Sequence, residues 1–281
     1  MKSGCLKKLS SLTITRNLGS VQNTGVELQI TTTIVDNPNF GWDLTLGGSH
    51  NTNKILSLGL DPNGKPNPTI GTGITRDSVG LSVNGFFAHP YTYSDLNHDG
   101  IITPNEVTVS SKYAYYGYSQ PRDIGSVQNG IDLFGRRIHL QALLDYRGGA
   151  TLYNQSTSFY CQQTSTCADV TLPGTSLAAQ ARLVALRYAT APNPTTAAGY
   201  LENGQFWRLR ELSATVTLPN KFAQSIRAHD ASILFAGRNL HVWTKYTGVD
   251  PESNYSTGDV QTDFSTTAPR TYYIARVNLH Y

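Results

Sequence analysis

From residue 26 the order Val-Glu-Leu-Gln-Ile-Thr-Thr-Thr-Ile alternates apolar with polar residues. That period of two restricts the fold more than any other feature: in an extended strand it sends Val26, Leu28, Ile30 and Ile34 to one face. A turn follows at Asp36-Asn37-Pro38-Asn39. Phe40, Trp42, Leu44 and Leu46 then alternate with Gly41, Asp43, Thr45 and Gly47, which predicts a hairpin. The pattern returns after Gly135-Arg136-Arg137, where Ile138, Leu140, Ala142, Leu144 and Tyr146 alternate with His139, Gln141, Leu143, Asp145 and Arg147. Further strands are predicted over 208–218 and 231–246, joined across 219–230. A last one runs over 272–281, with Tyr273, Ala275, Val277, Leu279 and Tyr281 on one face. One more between 113 and 134 and a partial one at 12–15 bring the expectation to about seven or eight antiparallel crossings.

No stretch approaches the roughly 18 consecutive apolar residues of a spanning helix, so any membrane crossing has to use strands. Composition agrees: 16 Tyr and 25 Gly accompany a charged content of only 15%, a mixture that suits strands, turns and amphipathic rims. The net charge of +3 has no basic run and gives no support to nucleic-acid binding. Connections near Asp36, Gly135 and Pro219 are short, whereas 51–112, 154–205 and 247–268 are long and polar. Strict alternation of short and long is what an outer-membrane barrel requires, with periplasmic turns and extracellular loops; a soluble β-sandwich also alternates. Leu177, Ala181, Val184, Ala185 and Tyr188 stand at helical spacing and predict one short loop helix. For Cys161 and Cys167, a disulfide and two free thiols are both open.

Asp95-Leu96-Asn97-His98-Asp99-Gly100-Ile101-Ile102-Thr103-Pro104-Asn105-Glu106 fits the calcium-loop pattern D-x-[DN]-x-[DN]-G-x5-E. Asp95, Asn97 and Asp99 supply side-chain oxygens, Ile101 its carbonyl and Glu106 a bidentate carboxylate, so a structural calcium is expected, without flanking helices. Nothing supports catalysis: the His residues are scattered, no nucleophile elbow or phosphate loop occurs, and nothing in the sequence brings Asp145 and Asp250 together. Plain alternation puts Arg208 and Arg210 on the face of Leu212, Ala214, Val216 and Leu218, so separating them needs a bulge near Leu209-Arg210. Trp42, Trp207, Trp243 and the terminal tyrosines are candidates for two interfacial rings.

Four segments carry a resemblance. They are Asn17-Leu18-Gly19-Ser20-Val21-Gln22-Asn23-Thr24-Gly25-Val26-Glu27-Leu28; Asp95 to Gly100, with His98 where Gly is usual; Phe206-Trp207-Arg208-Leu209-Arg210 leading to Leu218-Pro219; and Arg238-Asn239-Leu240, Trp243-Thr244 and Tyr246-Thr247-Gly248-Val249-Asp250-Pro251-Glu252. In this order they resemble the C-terminal barrel region of SusC/RagA-type TonB-dependent outer-membrane transporters. The resemblance implies an all-β, antiparallel transmembrane barrel portion spanning 1–281, incomplete at about eight of about 22 strands. It implies uptake of oligosaccharides, glycan fragments or peptides, with a SusD-type surface lipoprotein and TonB as partners. It also implies recognition of the last strand by barrel-assembly machinery, contact with outer-membrane lipid and a periplasmic C-terminus. Signal peptide, plug and TonB box are not recognised, so a truncated fragment, inactive alone, is expected. The alternative is a secreted calcium-binding β-module for adhesion or glycan binding.

Overall fold

A computed structural model describes residues 19–61, 63–164, 167, 169, 174–188, 194–253 and 262–281. Its frame is one antiparallel sheet of seven long strands in chain order: β1 (Ser20–Asp36), β2 (Phe40–Ser57), β3 (Asp123–Leu133), β4 (Ile138–Gly148), β5 (Phe206–Thr217), β6 (Asp230–Thr244) and β7 (Tyr272–His280). Seven strands among the described residues agree with the expected seven or eight; the partial strand at 12–15 lies outside the described residues. The sheet is open, with β1 and β7 as its edges. β2 runs to Ser57, well beyond the Leu46 at which the alternation fades, while β3 begins only at Asp123.

Register turns the alternating pattern into two continuous faces. On one, Trp42, Ile131, Leu140, Ala214, Phe235 and Ala275 stand side by side, as do Phe40, Leu133, Ile138, Val216, Ile233 and Val277. On the other, Thr31, Thr45 and Gln128 form a row, and Thr33, Asp43, Gly130, Gln141 and Ser213 form the next. Gly130 has to be small, because a Cβ there would lie 2.5 Å from Asp43 Oδ1. Asn129 is a polar residue within the apolar face, and its Oδ1 accepts the indole N–H of Trp42 at 2.8 Å. A single layer whose apolar side chains stay exposed, Val26, Leu28, Phe235 and Val277 among them, buries little in water. Hydrocarbon would cover that face while the strand ladder satisfies the backbone.

The short connections gather at one end. Asn37 Oδ1 accepts from the N–H groups of Asn39 and Phe40, closing the first turn, and Arg136 in the second turn pairs with Asp36 at the first. Phe134, Gly135 and Arg136 all take positive φ, the tight mirror-image backbone that follows the strands' twist. The third short connection holds a helix, Asn220–Ser225, over Ala223, Ala228 and Ala231.

The long connections occupy the opposite end and contain the larger buried clusters among the described residues. One short loop helix is too few: α1 (Gln155–Gln163) and α2 (Leu177–Arg187) both lie there, with Asn220–Ser225 at the other end as α3. Ser176 caps α2, accepting from Ala179 N–H, and Asn154 caps α1, accepting from Thr157 N–H. Ala181, Val184 and Ala185 of α2 pack on Ile102, Val107 and Val109, while Leu186 and Tyr200 pack with Cys161 and Cys167, which form a disulfide. The connection expected over 51–112 spans 58–122 and folds into small sheets of its own, Tyr91–Tyr93 pairing with Val107–Val109. No helix among the described residues is long and apolar enough to cross a membrane.

Candidate functional site

Six charged side chains from three distant parts of the sequence meet on the polar face at the loop end of β4 and β5. The local cause is a bulge. Leu143 faces Glu211 and Leu144 faces Leu209, so Arg210 is the extra residue; across β5 and β6, Leu209 faces His241 and Glu211 faces Arg238. This is the irregularity that the sequence pattern demanded between the arginines and the apolar run. It keeps Leu209 and Leu212 on the apolar face while turning Arg208 to the polar one beside Asp145. Opposite it, Asn239 takes positive φ, and its Oδ1 accepts from Arg210 Nη1 at 3.0 Å.

Arg208 is 2% exposed and its Nη2 donates to both oxygens of Asp250, itself 5% exposed, at 2.6 and 2.8 Å. Its Nε lies 3.0 Å from Glu252 Oε2, an ion-pair contact without hydrogen-bond alignment. Arg210 donates to Asp145 Oδ2 at 2.7 Å and to the two oxygens of Glu252 at 2.9 and 3.1 Å, and Arg147 stands 3.6 Å from Glu252. Asp145 and Asp250, which nothing in the sequence brings together, therefore belong to one network. Burial pushes the Glu252 carboxyl upward, but hydrogen bonds from Arg210 and the neighbouring positive charges outweigh it and hold the group below the usual carboxylate range. Three guanidinium groups face three carboxylates, and Glu252 N–H donates to Asp250 Oδ1 at 2.8 Å, so the Asp250-Pro251-Glu252 turn is fastened to the wall. With these acids committed to arginines, the network is a clamp; no nucleophile or general base emerges from it.

A second junction ties the loops to each other. Asp263 accepts from the N–H groups of Ser156 and Val249 at 3.0 and 3.3 Å, and Asn154 Nδ2 donates to Glu202 and Thr247 at 3.0 and 3.1 Å. Arg182 pairs with Asp169, which also accepts from the Tyr200 hydroxyl, and burial raises that phenol's pKa strongly. Cys161, Cys167 and Asp169 form a compact group of metal-ligand type, but the disulfide removes both thiolates.

The segment 95–106 sits between the paired strands Tyr91–Tyr93 and Val107–Val109, without flanking helices as expected. Asp95 accepts from Asp99 and Gly100 N–H at 3.2 and 3.0 Å, and Asp99 accepts from Ile101 N–H at 2.8 Å. Asn97 donates to Asp99 at 2.8 Å. Glu106 accepts from the backbone of Thr103 and Leu96, both at 2.8 Å, and these bonds, Thr103's first, lower its pKa. His98 and Gly100 take positive φ, and Gln180 of α2 holds the loop through Ile102 N–H and the Gly100 carbonyl. Every residue of the expected calcium set thus lies in one compact turn; within it, Asp95, Asp99 and Glu106 hold backbone N–H groups.

Trp207 and Trp243 face each other on the apolar face, with Tyr146 4.9 Å from Trp207, while Trp42 lies near the opposite end. The three tryptophans named from sequence thus lie toward opposite ends of the sheet.

No family model matches the chain. It is similar to TonB-dependent receptor P26 of Formosa agariphila, 25% identical over 276 residues, and to TonB-dependent receptor P3 of the same organism, 23% identical over 278 residues. Each comparison covers 85% of this chain and 26% of the relative, so the chain spans about a quarter of the length of these curated relatives. Among solved structures, the RagAB peptide transporter superposes with a TM-score of 0.67 at 21% identity, covering 94% of this chain and 30% of that one. The closed-closed state of the RagAB peptide importer gives 0.68 with the same coverage. The likeness shows the all-β fold.

Proposed function

We propose that this chain, similar over most of its length to TonB-dependent receptors and alike in fold to RagA-type importers, is a wall segment of an outer-membrane nutrient transporter and not an enzyme. The observation that carries the reading is the register: seven strands bring their apolar residues into one continuous belt and their polar residues onto the reverse. Such a belt matches lipid outside and an aqueous lumen inside. In this reading the short connections lie in the periplasm, the long ones outside the cell, and Trp42 and Tyr146-Trp207-Trp243 mark the two interfaces. The cargo is an oligosaccharide, glycan fragment or peptide, handled with a SusD-type lipoprotein and TonB, and the last strand is read by the barrel-assembly machinery. Two open edges, with backbone groups unpaired in lipid at several kcal/mol each, support a segment inactive alone. Expressed by itself, the chain is expected to need detergent and to migrate on gels alike whether heated or not. A folded monomer in plain buffer, or the heat-dependent shift of a closed barrel, would overturn this.

The turn at 95–106 is proposed to take a structural calcium through Asp95, Asn97, Asp99, the Ile101 carbonyl and Glu106. Its support is the fit of the sequence pattern together with the tight turn at Gly100. Millimolar calcium is expected to raise the melting temperature of the wild type and not that of Asp95→Ala; no shift in the wild type rejects the site.

A further inference from the structure

We propose that a cleft on the apolar-face side of the wall, just beyond the Tyr146-Trp207-Trp243 ring, binds the saccharide headgroup of a membrane glycolipid. The cleft, about 630 Å³, is lined by Tyr115, Tyr116, Tyr118, Tyr146, Arg122 and Asn203 among others. It opens away from the polar face that carries the arginine clamp: Tyr146 and Asp123 share their face with Leu144, Val127 and Leu46. The transported cargo, which this reading of the wall assigns to the polar side, does not pass it.

The chemistry of the lining selects the ligand. Tyrosine rings offer flat apolar faces of the kind that a pyranose covers with its C–H groups, while amides and charges take its hydroxyls. Tyr146 is free to fold over the wall because Gly148 leaves the space; a Cβ there would collide with its hydroxyl. The two acids at the cleft are already engaged, Asp123 by His50 at 2.5 Å and Glu202 by Asn154 and Thr247. Arg122 is not: its Nε is buried without a hydrogen-bond partner, and its guanidinium lies 4.8 Å over the Tyr118 ring. Arg122 therefore brings a positive charge to the cleft for an anionic or hydroxyl group of the ligand. The membrane as the source follows from continuity: the ring Tyr146-Trp207-Trp243 sits where tryptophan and tyrosine meet lipid headgroups. An adjoining pocket that shares Asn203 and Gln205 with the cleft runs down to Trp207 and Trp243 and includes Lys245.

The inference rests on the wall reading above, and the test separates the two. The full chain, refolded from detergent, is floated with phosphatidylethanolamine and phosphatidylglycerol vesicles, with and without lipooligosaccharide. Flotation with both, and binding at least several-fold tighter when lipooligosaccharide is present, is expected. Arg122→Gln is expected to lose most of that preference and Tyr116→Leu to reduce it, with far-ultraviolet circular dichroism unchanged. Should either variant misfold, a photoreactive lipooligosaccharide is expected to label the wild-type peptide 114–123, and labelling elsewhere overturns the site. Flotation without preference overturns the inference and leaves the wall reading standing. Failure to float with either vesicle overturns both. Equal binding of the lipid-free oligosaccharide overturns the assignment to a headgroup.

Discussion

Arg208 and Asp250 form the pair in which charge is most deeply buried at the clamp. A buried pair of this kind contributes little compared with an apolar pair, yet removing one member leaves an uncompensated charge that costs about 3–5 kcal/mol. Asp250→Ala is therefore expected to destabilise the loop end of the wall by about 3 kcal/mol, read by urea titration in micelles. Glu252→Ala should cost less, because Arg210 keeps Asp145 as a partner. An equal loss in both variants would contradict the division of roles. These residues were visible as two motifs of opposite charge, Phe206 to Arg210 and Asp250-Pro251-Glu252. Their union was not: more than forty positions separate Arg208 from Asp250, and periodicity carries no information on which loop folds back upon which strand. Charge complementarity between the two motifs was the signal that could have joined them. Asp145 offered less, since its place in the alternating run looked like ordinary lumen polarity.

At the scale of the element, the strands were legible because each has one apolar and one polar face, so period two survives in the sequence. The bulge was legible for the same reason, as the point where the period breaks. Arg210 is the residue that absorbs the break. Its deletion makes Leu209 and Glu211 neighbours facing Leu144 and Leu143, which restores simple alternation and keeps Phe206, Trp207, Arg208 and Leu209 on their present faces, so the deletion variant is expected to be recovered from detergent, as is Arg210→Ala. Failure to recover the deletion variant while Arg210→Ala is recovered would disprove that role. The loop elements were less legible. Leu177, Ala181, Val184 and Ala185 announced α2, but Gln155–Gln163 has its apolar residues in one run, Phe159-Tyr160-Cys161, without helical spacing, and is held by its Asn154 cap, the disulfide and Tyr200. Its core is made of contacts between remote segments, which no local spacing records. The small sheets of 58–122 are too short to show a period.

At the scale of the whole molecule, two kinds of stability coexist. The loop end has its own buried clusters around α1, α2 and the Cys161–Cys167 bond, whereas the wall is a single layer stabilised by its ladder and its surroundings. Units with separate cores open separately. Heating in micelles is expected to give two transitions. The double substitution Cys161→Ser with Cys167→Ser should lower the first, by roughly 2 kcal/mol for so short a loop, and leave the second in place. A single transition shifted as a whole would show that wall and loops melt together.

The paired irregularity at Arg210 and Asn239 also bears on how such a chain can change over time. β5 counts one residue more than its partner β4 at that point, and β6 spends Asn239 and Leu240 answering it, so the two strands share a single phase. A crossover between related genes that falls in the helical turn 218–229 would join a strand of one phase to a strand of another and turn half a hairpin inside out. Exchanges that move 206–244 as one block keep the phase. The hairpin is thus the smallest piece of this wall that can be inherited, swapped or transplanted intact.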